Sequence, residues 1–419
     1  MSANPGDSPV TDQTTLRSLF ADRDVRLVMA SRFCNAAAAA ALALAAGKFV
    51  FDMTERELDL GFIGLAEFLP TAMLVLIAGA MADRFDRRRM ASIALAFEAA
   101  VAAATAWYAS TDPTSPGVLF ALVLLFGTAR GFANPASRAI PPLVVEPQDF
   151  PRLMSTLAAT WQLAAVLGPV LAGFLYAVDP VLPFVAIACL LAASASMIHF
   201  VRYKIEQDSS DERPSLRSAM EGLRFVKSEP ILLAAIGLDL FAVLFGGAVA
   251  LAPALAEERL GVGAVGLGWL RAAGGIGAGL TALYLAAHPF NRRVGKTLLI
   301  AVGAFGLGTV GLGLTRSFWV ALGLLAFIAA VDMISVYIRL TIVPLVTPDR
   351  MRGRVMAVEA VFIGASNELG AFESGVTAEW FGLVGAIVLG GALTIAVVVV
   401  WWFAFKGLRE IDRFEDLKP

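Results

Sequence analysis

Ionisable side chains stranded in apolar sequence are the residues here most able to do chemistry. Asp239 lies deep in an apolar run near 230–254. A charge at such a depth costs at least ~2.5–3.5 kcal/mol, so a residue of this kind marks a functional position by default. A carboxylate is too short to reach the membrane surface from there. Desolvation disfavours its charged form, which suits it to taking up and releasing a proton. A fixed ion pair with Arg271 or Arg130 is the competing role.

Asp332 and Glu98 lie at comparable depth, and Glu67, Glu368 and Glu373 fall nearer span ends. Glu368 and Glu373 are five residues apart on one helix and point in different directions, with Asn367 favouring Glu368 as the cavity-facing acid. Arg130, Arg271 and Arg32, with Asn35 one turn after Arg32, supply positive and polar partners. A buried arginine needs a carboxylate or attracts an anion. Lys48 and Arg339 are close enough to span ends to snorkel, and Lys48 is expected to do so.

Other chemistries find no support. Cys34 and Cys189 both lie inside apolar runs, with no second thiol beside either, and His199 and His288 lie near span ends. A disulfide, a histidine-rich metal site and a His-Glu-x-x-His motif are therefore not expected. There is no Walker-type phosphate loop, paired catalytic aspartate or serine–base dyad. An enzyme is not expected, no cofactor is implied, and nothing points to nucleic acid.

The elements that must position these groups are membrane spans. The chain of 419 residues is 58% hydrophobic and 16% charged, against about 25% charged in soluble domains. A helix needs roughly 20 apolar residues to cross the hydrocarbon core. Twelve such runs are expected, near 27–51, 61–82, 89–109, 117–140, 153–177, 180–200, 230–254, 263–287, 296–314, 318–344, 354–379 and 383–405. Lys and Arg are retained on the cytoplasmic side. They collect at 84–89, 202–227, 292–296, 350–354 and 406–418, leaving little beyond Arg56, Arg259 and Arg316 in the opposite loops. Both termini are therefore expected inside a bacterial inner membrane.

The division is a cytoplasmic N-terminal tail at 1–26, six spans at 27–202, a cytoplasmic linker at 203–229, six spans at 230–405 and a cytoplasmic C-terminal tail at 406–419. The N-terminal tail lacks the basic start and short apolar core of a cleavable signal, so the first span is expected to direct insertion. In the linker, Leu216, Met220, Leu223 and Val226 recur at helical spacing and predict an amphipathic helix on the inner leaflet.

Gly79-Ala80-Met81-Ala82-Asp83-Arg84-Phe85-Asp86-Arg87-Arg88-Arg89 follows the second run. It resembles the loop between helices two and three of major facilitator superfamily transporters, with Asp86 where the general pattern has glycine. Leu167-Gly168-Pro169-Val170-Leu171-Ala172-Gly173 resembles the Gly-Pro-x-x-Gly-Gly segment of the superfamily's antiporters, with Ala172 replacing one glycine. Further segments resemble the drug:proton antiporter and enterobactin-exporter-like branch. Among them are Gly131-Phe132-Ala133-Asn134-Pro135-Ala136, Leu238-Asp239-Leu240-Phe241, Thr347-Pro348-Asp349-Arg350 and Asn367-Glu368-Leu369-Gly370. A degraded second-half echo of the loop lies at 288–296.

The resemblance implies an all-α membrane protein of twelve helices in two six-helix bundles. It implies export of an amphiphilic small molecule, drug-like or siderophore, by proton antiport with alternating access. A lipid or lysolipid flippase or an uncoupled facilitator of the same fold is the alternative. It implies a monomer in the lipid bilayer whose driving force is the proton gradient. Gly79, Asp83, Arg84, Arg87 and Arg88 would form the gating loop, with Asp83 meeting the N-terminus of helix eleven near Gly353. Gly168, Pro169 and Gly173 would form the antiporter-like motif. Arg130 would face Asp239 across the bundles, and Glu98, on a span that packs outside its bundle in this fold, would serve structure.

Overall fold

The computed structural model describes residues 20–202 and 216–417, without the side chains of 75, 76, 79, 80, 82–84 and 216–219. Most of the N-terminal tail, the first part of the linker and the side chains of Asp83 and Arg84 lie outside the described residues, as does the packing around Gly79.

The elements are helices, with no strand among the described residues. The first half contains α1 (Arg23–Thr54), α2 (Glu57–Arg84), α3 (Arg87–Ala109), α4 (Gly117–Arg138), α5 (Phe150–Val178) and α6 (Leu182–His199). The linker forms α7 (Leu216–Ser228). The second half contains α8 (Pro230–Phe245), α9 (Gly263–Ala287), α10 (Val294–Leu314), α11 (Phe318–Val346), α12 (Asp349–Ala404) and a short α13 (Lys406–Glu410). Among the described residues ten helical stretches are long and apolar enough to cross a membrane, α8 only together with the turns that continue it to Arg259. α12 is two spans joined at Gly382, whose φ of 72° suits glycine and turns the chain. With α12 counted twice and α2 running alongside, the set matches the twelve expected runs.

Local chemistry sets several ends. Asp22 caps α1, its Oδ1 accepting from the Asp24 N–H at 2.8 Å. Asp86 caps α3, its Oδ1 accepting from Arg88 N–H at 2.9 Å and Arg89 N–H at 3.2 Å. This gives a physical use to the acid that stands where the family pattern has glycine.

One span departs from expectation. The run near 230–254 is regular only to Phe245, and continues as a 3₁₀ turn (Gly247–Leu251), a single α turn (Ala252–Ala254) and a π turn (Leu255–Arg259). The change falls at Gly246-Gly247, where the backbone is pressed against two neighbours. A Cβ on Gly246 would lie 2.4 Å from the Phe305 ring, and one on Gly247 2.5 Å from the Gly370 carbonyl oxygen.

Within the first half α1 packs on α5 and α6, α2 on α4, and α3 on α4 and α6. Ser31 and Ser194 join α1 to α6 through a 2.7 Å hydroxyl contact. Within the second half α8 packs on α12, α9 on α11, and α10 on α11 and α12. The halves meet along α2–α12 and α5–α9.

The linker helix α7 lies against the start of α12. Arg354 Nη1 donates to Glu221 Oε2 at 2.7 Å, and a Cβ on Gly222 would lie 2.8 Å from the Arg354 carbonyl oxygen. Val226 is buried against protein, whereas Met220 is exposed, so the expected apolar stripe is divided between protein and surroundings.

The C-terminal segment also docks. Val294 and Gly295 N–H donate to the carbonyls of Asp412 and Ile411, and Asn291 bonds both Glu415 and the Phe414 N–H. It thus docks on the segment that carries the degraded second-half echo.

Candidate functional site

Small residues bring the halves together. A Cβ on Gly173 would lie 2.6 Å from the Ala264 carbonyl oxygen, and Gly268 in turn presses on the Pro169 carbonyl at 2.8 Å. Gly168 faces the other way, onto the Ala37 carbonyl of α1 at 2.6 Å. The Gly-Pro segment therefore lets α5 lie close to α1 and α9 at once. Gln162 adds a side-chain bond to the Gly275 carbonyl of α9. Along α2–α12, Gly61 abuts the Phe372 backbone, and the Phe62 and Phe372 rings sit 5.5 Å apart. These contacts run from the end where α1 meets α2 to about the middle of the helices.

Charged groups gather at this seam. Arg130 Nη1 on α4 lies 3.6 Å from Glu67 Oε1 on α2. Glu368 on α12 points across the interface, its Oε2 2.8 Å from where a Cβ on Gly64 of α2 would be. Glu67, Arg130 and Arg271 all act electrostatically on Glu368. Glu98 on α3 is wholly buried within the field of Arg130 and Glu67. The group is three carboxylates and two guanidiniums, drawn from α2, α3, α4, α9 and α12. One proton would make it neutral. Small residues on α2 and α4 permit this gathering, since a Cβ on Gly127 would lie 2.1 Å from the Glu67 carbonyl oxygen.

A second group lies inside the second half. Arg339 Nη2 donates to Asp239 Oδ1 at 2.7 Å, and its Nη1 stands 4.0 Å from Glu359 Oε1. All three residues are buried. Asp332 is coupled electrostatically to Asp239 and Arg339. It lines, with Asp239, Ser335 and Phe305, a cavity of about 10 Å³. That is close to the least space that holds one water.

The expected Arg130–Asp239 pair is therefore not made, and neither is one from Asp239 to Arg271. Arg130 has Glu67 beside it in its own half, and Arg339 reaches Asp239 from the neighbouring α11. Arg339 does not snorkel, because its guanidinium is held by the buried Asp239 of the neighbouring α8.

Lys48 does not snorkel either. It is 4% exposed, bonded to Asp52 on α1 and to Glu257 in the π turn after α8. Tyr176 on α5 donates to Asp52 Oδ2 at 2.7 Å, and its ring lies beneath the ammonium at 5.4 Å. Lys48 and Asp52 stand at i,i+4 spacing, the one signal in the sequence that could have exposed this cluster. Arg339 and Glu359 carried no comparable signal.

The remaining candidates scatter. Arg32 on α1 is half-buried in the field of Arg138, another cation, and Asn35 one turn on is buried. Glu373 accepts from Thr377 Oγ1 on its own helix at 2.8 Å, away from the seam group. Asn367 is exposed and bonds the Ile363 carbonyl of its own turn, so it gives no support to Glu368. Arg87 donates to the Ala139 carbonyl at 3.5 Å, and Arg88 to the Val201 carbonyl at 2.9 Å. These bonds tie the segment after α2, the expected gating loop, to the ends of α4 and α6. Gly353 has open space around it.

Two helical halves meeting on glycine-rich faces around a buried charged centre define a membrane transporter rather than an enzyme. The chain belongs to the Major Facilitator Superfamily, whose family model matches residues 28–358. Solved transporters share the fold. A bacterial homologue of the human lysosomal transporter Spinster, inward-facing and occupied, superposes with a TM-score of 0.71 at 14% identity, over 94% of this chain and 98% of that one. The nucleoside transporter NupG gives 0.69 at 13%, over 92% and 100%. A bacterial homologue of the iron transporter ferroportin, inward-facing, gives 0.67 at 16%, over 90% and 98%. At these identities the likeness is one of fold alone. No curated protein sequence matches the chain.

Proposed function

We propose that this transporter exports amphiphilic small molecules, drug-like compounds or siderophores, in exchange for protons. The observation that carries this reading is the seam group of Glu67, Arg130, Glu368 and Arg271, with Glu98 behind it. It joins the two helical halves through ionisable side chains. Its charge changes with one proton, and that change alters how strongly the halves attract. Such a change is what alternating access by rocking requires. Asp239, paired with Arg339 and next to Asp332, supplies a second titratable centre inside one half.

An apolar cargo is supported by a groove of about 640 Å³ on the flank of α2, α3 and α4. Phe85, Met90, Ile93, Phe97 and Phe132 line it, with Arg89 at one end. It gives an amphiphile a lateral way in from the bilayer, and the same observation favours the lipid-flippase alternative. With both termini cytoplasmic, as the loop charges argue, the contacts between the halves lie on the outer side and the conformation is inward-facing.

The test is export of the amphiphilic cation ethidium from proteoliposomes with and without an imposed pH gradient, for wild type, Arg130→Gln and Glu368→Gln. Gradient-driven movement lost in both variants supports antiport through the seam group. Equal movement with and without the gradient in wild type overturns antiport in favour of a facilitator. Movement of a fluorescent lysolipid but not ethidium favours the flippase.

A further inference from the structure

Glu98 is 0% exposed, and neither carboxylate oxygen has a hydrogen-bond partner. It sits eleven residues after Arg87, the first residue of α3, about 16 Å along the axis and so near mid-membrane. An ionised carboxylate held there without a donor would bear its full desolvation cost with no return. A neutral carboxylic acid would bear far less.

The groups facing it are few. Arg130 from α4 and Glu67 from α2 act on it. From α6, packed along the same helix, the titratable residues are Cys189, which is exposed, and His199, in the last turn against Phe200. Arg130 is the one cation among these groups in its field. Arg130 Nη1 is itself buried without a hydrogen-bond partner, at 3.6 Å from Glu67. A donor that is not used and an acceptor that is not used thus stand in the same charged centre.

We infer that Glu98 is the proton-binding site of the seam group, neutral in the conformation of this structure and ionised when Arg130 turns from Glu67 to it. The bonds balance simply. Glu98 loses its proton to water entering the opened cavity, and its carboxylate takes the guanidinium. Glu67, released by Arg130, is left facing the Arg271–Glu368 side of the group. Reversal returns the proton from water. This deepens the antiport reading and rests on it for the proton's use. The protonation state itself is a property of the fold.

The test uses the full chain in liposomes, comparing wild type with Glu98→Gln and Glu98→Asp. In infrared spectra near neutral pH, wild type is expected to show a protonated-carboxyl carbonyl band that Glu98→Gln lacks. An unchanged band in the variant would overturn the assignment. Glutamine reproduces the neutral acid, so an unchanged melting temperature is expected for Glu98→Gln. A lowered one would mean that the fold holds the ionised form, which also overturns it. In ethidium export, the ratio of rates with and without the pH gradient is expected to fall to about one in Glu98→Gln and to recover in Glu98→Asp. A ratio equal to wild type in Glu98→Gln removes Glu98 as the carrier while leaving antiport intact. A wild-type rate indifferent to the gradient overturns antiport instead, and the infrared band then decides Glu98 by itself.

Discussion

Lys48 and Glu257 stand 209 residues apart in sequence and form an ion pair that joins α1 to the turn after α8. The lysine is buried, and it holds Asp52 on its own helix with the same ammonium. One cation therefore binds an acid from each half, at the end where the halves are in contact. Removing the cation would leave the two acids with no positive charge between them, Asp52 keeping only its bond from Tyr176.

Replacing Glu257 by Gln is expected to loosen that end without unfolding the chain, since Asp52 still satisfies Lys48. Glu257 is about one-third exposed, so the change is expected to be about 1 kcal/mol or less. Spin labels at Asp112 and Arg316, both exposed and in opposite halves, report it. A longer-distance population should grow in Glu257→Gln. An unchanged distribution would show that the pair does not hold this end closed.

Arg339→Met strands Asp239 and Glu359 in the second half. A loss of about 3–5 kcal/mol is expected, as for other buried pairs broken from one side. The triple variant Asp239→Leu, Arg339→Met and Glu359→Leu should recover most of it, because an apolar set of similar size has no charge to bury. Thermal unfolding in detergent measures both, and a triple variant no more stable than the single would contradict the account.

Gly173→Val and Gly268→Val each place side-chain atoms where backbone already sits, so α5 and α9 must part. Overpacking of this kind costs about 1–3 kcal/mol, and transport should fall with it. Gly323→Ala is the control. Its added methyl meets nothing within 4 Å, and a helical alanine there should be neutral or stabilising by about 0.4–1 kcal/mol. Equal effects at all three positions would mean that helix propensity, not the seam, sets the outcome.

Truncation after Glu410 removes the carbonyls of Ile411 and Asp412 that accept from Gly295 and Val294, and the Asp412 carboxylate that accepts from the Arg293 N–H. Cleavage by trypsin at Arg292 and Arg293 should quicken several-fold in the truncated chain. An unchanged rate would mean that the docked segment does not protect the loop.

Much of the architecture was legible because the signals are local. Twenty apolar residues between charged loops make a span whatever surrounds them, so the runs near 89–109, 153–177 and 296–314 correspond to α3, α5 and α10. Gly168 and Gly173 could be read as close-approach residues from their type alone. Which neighbour each would meet could not be read.

The charges show where the sequence stops. Their depth followed from counting residues along a span, and depth alone made Asp239, Glu98 and Asp332 candidates. Partners depend on how each helix is rotated about its axis. These helices are apolar on nearly every face, so no hydrophobic stripe fixes that rotation. Only the packed structure gave Asp239 to Arg339, turned Glu368 toward Gly64, buried Lys48 between two acids and left Glu98 with none. An ion pair forms at a few ångströms, and only tertiary packing sets distances on that scale between residues far apart in the chain.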